Sequence, residues 1–109
     1  STTLFEVGNG TGSSATSNAF EVYSDGSLST NNGTTRTKLP VVKTETLAAS
    51  GTSVTFTGIP TSGNNMIDFF TSDGSNYTAI DTSTSGQIEL TFEASSSART
   101  VYCRIEEVI

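Results

Sequence analysis

The chain has 109 residues, is 33% hydrophobic and only 15% charged, and contains no histidine; that length suits one small domain with an appendage and excludes two ordinary domains. Five Lys and Arg against eleven Asp and Glu leave a net charge of −6, which excludes a basic stripe able to neutralise nucleic-acid phosphates or an anionic membrane surface. Without histidine, neither a Cys-His nor a Ser-His mechanism can be built, and the commonest borderline-metal ligand is missing. Serine and threonine supply about a third of the residues, with ten glycines and one cysteine. This composition predicts an all-β protein with essentially no α-helix and no intrachain disulfide.

In chain order, the first elements are two copies of one phrase. Leu4-Phe5-Glu6-Val7-Gly8-Asn9-Gly10 returns fifteen positions later as Ala19-Phe20-Glu21-Val22-Tyr23-Ser24-Asp25-Gly26. Each is a short apolar-polar alternation closed by a glycine turn, a strand too short to bury anything by itself. The connectors Gly10–Ser14 and Ser29–Thr35 are polar turn material. Pro40 cannot donate to a ladder and holds Leu39 extended, which marks a boundary. The expected organisation is a β-repeat stalk over 1–36 and a head over 40–109.

The phrase Phe5-Glu6-Val7-Gly8-Asn9-Gly10-Thr11 followed by Ser17-Asn18-Ala19-Phe20-Glu21-Val22-Tyr23-Ser24-Asp25-Gly26 resembles a segment of phage tail-fibre and appendage proteins, and a related phrase occurs in bacterial trimeric adhesins. The likeness covers roughly residues 4–30. It implies an intertwined homotrimer on a virion, with a surface-attachment role and no catalytic residue to carry over. Leu4, Phe5, Val7, Phe20, Val22 and Leu28 are then the expected oligomer interface. A capsid-decoration or baseplate protein without a ligand, or an adhesin fragment on a bacterial surface, would carry the same phrase. The chain begins at Ser1 and has no apolar run long enough for a membrane span or a signal-peptide core, so it reads as a piece of a longer protein.

Beyond Pro40 about six strands follow at the spacing of a small antiparallel β-sandwich or jelly roll. Val41–Leu47 comes first, then Thr52–Thr57 with Val54 and Phe56 on one face. Met66–Thr71 is apolar on both sides apart from Asp68, a pattern that predicts a strand covered on both faces. Ser72-Asp73-Gly74-Ser75 predicts a hairpin into Asn76–Asp81. Gln87–Glu93 buries Ile88, Leu90 and Phe92 by strict alternation. The last strand, Arg99–Glu107, places Val101, Cys103 and Ile105 inward and Tyr102, Arg104 and Glu106 outward. Cys103 is expected to be a small buried apolar residue.

Candidate chemistry is sparse. Asp68, Asp81, Glu89 and Glu93 could approach one another as a glycosidase pair does, although scattered carboxylates on strand exteriors are ordinarily solvated. Asp68, amid apolar neighbours, calls for a hydrogen bond to backbone or to an arginine such as Arg99, with a ligand or interface role as the alternative. Asp73 to Tyr77 with Asp81 is oxygen-rich but lacks the carboxylate at alternate positions that an EF-hand loop needs. The glycosylation sequons at Asn9, Asn32 and Asn76 are expected by chance in such a composition. Tyrosines can stack on sugar rings while loop Ser, Thr and Asn supply hydrogen bonds. The expected function is therefore non-enzymatic attachment to a host-surface polysaccharide or protein receptor, without cofactor or metal, through Asp73, Ser75, Asn76 and Tyr77, with Tyr102 as a further contact.

Overall fold

The computed structural model describes residues 3–8, 18–30 and 35–109. Most of the two early connectors, and the sequons at Asn9 and Asn32, lie outside the described residues. Among the described residues there are ten strands: β1 (Thr3–Gly8), β2 (Asn18–Tyr23), β3 (Ser27–Ser29), β4 (Thr37–Lys38), β5 (Val41–Leu47), β6 (Ser53–Thr57), β7 (Asn64–Thr71), β8 (Ala79–Asp81), β9 (Gln87–Thr91) and β10 (Arg99–Val108). The protein is all-β, with antiparallel ladders and no helix among the described residues. It divides into two units. One holds Ser1–Pro40, Gly63–Met66 and Glu106–Ile109, and the other Val41–Ser62 and Ile67–Ile105. The division after Pro40 is accompanied by two later segments that join the first unit.

In the first unit β1, β2, β3 and β4 pair in sequence, and Thr37 of β4 pairs with Val108 of β10. The repeated phrases thus pair with each other within one chain, with Glu6 opposite Glu21 and Val7 opposite Phe20. Directly opposed residues share a face and side chains alternate along a strand. Phe5, Val7, Phe20, Val22 and Leu28 therefore form one apolar row, and Glu6, Glu21, Tyr23, Ser27 and Ser29 lie behind it. The usual order of burial is reversed in part: Glu21, Ser27 and Ser29 are buried with Tyr23, and Phe20, Val22 and Leu28 are half-buried, whereas Phe5 and Val7, like Glu6, are exposed, at 54% and 47% for the two apolar side chains. The Tyr23 phenol is pushed up, first by burial and then by its hydrogen bond with Glu21, and the Arg36 guanidinium over its ring at 4.4 Å opposes that rise.

The second unit is a sandwich of two sheets, β5–β10–β7 and β6–β9–β8. Leu47, Val101, Cys103 and Ile105 from the first sheet meet Val54, Phe56, Ile88, Leu90 and Phe92 from the second, with Ile59, and Ile67 and Phe69 pack against them. The alternation in β6, β9 and β10 is the one the sequence predicts. Each such side chain contributes about 1.5–3 kcal/mol on burial, most of which offsets the entropy of ordering the chain.

Two expectations are corrected. β7 is not covered on both faces: Ile67, Phe69 and Thr71 are half-buried, while Met66, Asp68 and Phe70 are exposed. Its other face has no second sheet within the unit, so hydropathy alone overstated its burial. Nor does the Asp73-Gly74 turn make a hairpin. The chain does reverse there, but β8 pairs with β9 in the opposite sheet and β7 pairs with β10.

Candidate functional site

Four of the five predicted contact residues sit in one short segment after β7. Gly74 adopts φ +78°, a left-handed conformation that a side chain strains, and its amide donates to the Thr71 carbonyl at 3.3 Å. The Ser75 amide and hydroxyl both donate to Asp73 Oδ1, at 3.0 and 2.6 Å, and the Thr71 hydroxyl donates to the Ser75 carbonyl at 2.7 Å. The Ser72 amide donates to the Thr100 carbonyl at 2.9 Å, and the Thr100 amide donates to Ser72 Oγ at 3.0 Å. These bonds fix the loop against β10.

A buried arginine completes the attachment. Arg99, 5% exposed, donates from Nη1 to Ser75 Oγ at 3.1 Å and from Nη2 to the Glu93 carbonyl at 2.8 Å. Its Nε stands 4.0 Å from Asp73 Oδ2, and its guanidinium lies 5.4 Å from the Phe92 ring centre. The Ser75 hydroxyl, then its amide, hold the Asp73 carboxyl below its ordinary range, with a smaller pull from Thr71 and Arg99. The sequence pointed to Arg99 only as a partner for Asp68 and not for this loop, because its partners Ser75 and Glu93 lie 24 and 6 positions away and no local pattern pairs them.

Tyr77 is 41% exposed. It meets Phe69 edge-on at 5.7 Å, and Phe69 lies 6.2 Å from the core residue Phe56. Phe69, Phe70, Thr71, Ser75, Asn76, Tyr77 and Phe92 line a depression of about 210 Å³, adjoined by a second of about 320 Å³ that Gly74 helps to line. Ser75, Asn76 and Tyr77 thus come together at one hollow. The Asp73 carboxylate is bound within the loop, and Tyr102 lies on β10 and does not line the hollow. Phe70 and Thr71, which do line it, were passed over; the exposed phase of the β7 alternation is the signal that marks Phe70.

The other carboxylates are spread over the surface. Asp68 pairs with Arg104 at 3.6 Å, both partly exposed, rather than with Arg99. This corrects the expected partner: Ser72 beside Thr100 sets β7 against β10 so that Asp68 falls opposite Arg104. Asp81 and Glu89 are direct partners across β8 and β9, and with Thr55, Thr84 and Gln87 they line a depression of about 300 Å³. The Ser83 hydroxyl and amide hold the Asp81 carboxyl low, the wrong direction for the general acid of a glycosidase pair. Among the described residues no three His, Cys, Asp or Glu side chains are grouped to hold a metal. Cys103 is wholly buried opposite Lys43; burial pushes its thiol up, and the Lys43 charge opposes that rise. In comparisons with known proteins, no family, curated protein or solved structure matches this chain.

Proposed function

We propose that the chain is a non-enzymatic tip domain of a phage fibre or related virion appendage, assembled as a homotrimer and attaching to a host-cell surface through polysaccharide. The observation that carries this reading is the partly reversed burial of the β1–β2–β3 sheet. Its polar residues Glu21, Ser27 and Ser29 are buried while Phe5 and Val7 face solvent. A row of apolar side chains kept at such a cost is explained by a surface that covers it, and further copies of the same chain cover it symmetrically. The resemblance of residues 4–30 to fibre proteins agrees with this. Three loops on one axis would then raise weak single contacts by effective concentration.

Light scattering on the parent chain and on a Phe5→Ser, Val7→Ser double variant tests the assembly. A mass near three chains for the parent, falling to one chain in the variant, supports it. A monodisperse parent monomer overturns it. A second reading, a structural or decoration protein without ligand, is favoured by one observation: Asp73 and Ser75 spend their polar atoms on Arg99 and on each other. Binding of the trimer to capsid or baseplate protein, with no binding to host envelopes, would select that reading.

A further inference from the structure

We infer that the hollow beside Tyr77 takes an uncharged sugar ring and turns away uronate-, sialate- and phosphate-bearing glycans, an inference that rests on the attachment reading above. The chain has only five basic side chains, and each is engaged elsewhere. Arg36 covers Tyr23 at 4.4 Å, Lys38 pairs with Glu107 at 3.6 Å, and Arg104 pairs with Asp68 at 3.6 Å. Lys43 is half-buried opposite Cys103, with Nζ close against Gly58. Arg99, the one cation near the hollow, is buried and donates from both Nη1 and Nη2 into the protein.

No charged side chain lines the hollow; the nearest carboxylates along the chain lie outside its lining. Asp73 is in the loop, and exposed Asp68 stands two residues before Phe70 on β7. Exposed Glu93 holds Arg99 through its carbonyl. An anionic ligand would lose its hydration against a lining that holds no cation to receive it, a cost that nothing there offsets. A neutral ring meets none of these penalties. Tyr77 and Phe70, both largely exposed, offer aromatic surface for its C–H groups. The exposed Asn76 amide offers a donor and an acceptor for adjacent hydroxyls.

An array of purified bacterial polysaccharides, sorted into neutral and acidic members, tests this with the parent chain and with Tyr77→Ala, Tyr77→Phe and Asn76→Ala, each checked for an unchanged unfolding transition. Capture of neutral members is expected, falling about tenfold in Tyr77→Ala and Asn76→Ala but kept in Tyr77→Phe. Capture of acidic members that depends on Tyr77 would overturn the charge selection and leave attachment standing. Capture of neutral members unaffected by Tyr77→Ala would overturn the placement at this loop. Binding to no polysaccharide would overturn glycan attachment itself.

Discussion

Cys103 faces Lys43 across β10 and β5, and yet burial dominates its ionisation. Its folded pKa is raised, so the unfolded chain loses the thiol proton first as pH rises. Stability contributed by the neutral thiol is complete below the ordinary value of 9.0 and declines as pH climbs above it toward the folded value. Urea unfolding between neutral and alkaline pH is expected to show this decline, and Cys103→Ala, less stable at neutral pH by roughly 1 kcal/mol, should lack it. An identical alkaline slope in parent and variant would assign the effect to other groups. The thiol's burial was legible from alternation through Val101, Cys103 and Ile105, but its cationic neighbour was not, because strand register joins residues 60 positions apart only in the fold.

Among the elements, the loop between β7 and β8 depends on the first residue of β10. Arg99→Met keeps most of the side chain's apolar stem and removes the bonds to Ser75 and the Glu93 carbonyl. A loss of about 2–3 kcal/mol is expected from two charge-assisted bonds, measured by urea unfolding, together with faster amide exchange at Gly74 and Ser75. Unchanged exchange there would show that the Asp73–Ser75 turn holds without the arginine. The strands themselves were largely legible: Ile88, Leu90 and Phe92 stand inward as their alternation requires. β7 was not, since Met66 and Phe70 are apolar as Ile67 and Phe69 are, although only one phase meets a core. The Asp73-Gly74 pair told where the chain turns and said nothing of which strand the next segment joins. Likewise the repeated phrases were visible as strands, whereas the opposition of Glu6 to Glu21 follows from a register that bulges beside Phe5 and Gly8.

For the whole molecule, a net charge of −6 per copy sets self-repulsion against any apolar association. The proposed trimer, if built on Phe5 and Val7, should therefore strengthen as salt rises from roughly 0.05 to 0.5 M, where screening shortens the Debye length several-fold. Sedimentation equilibrium across that series measures it, and weakening with salt would point to an interface built on ion pairs instead. The last strand carries a different consequence. Residues 99–105 of β10 lie between β5 and β7 in their sheet, and residues 106–109 belong with the other unit. A nascent chain emerging from the ribosome thus completes neither unit until residues 99–108 are made. Val41 waits for Ile105 and Thr37 for Val108, and during that interval the edges of β5 and β7 stand open to neighbouring chains on the same polysome, which are both the copies that the proposed trimer would draw on and the nearest source of mispairing.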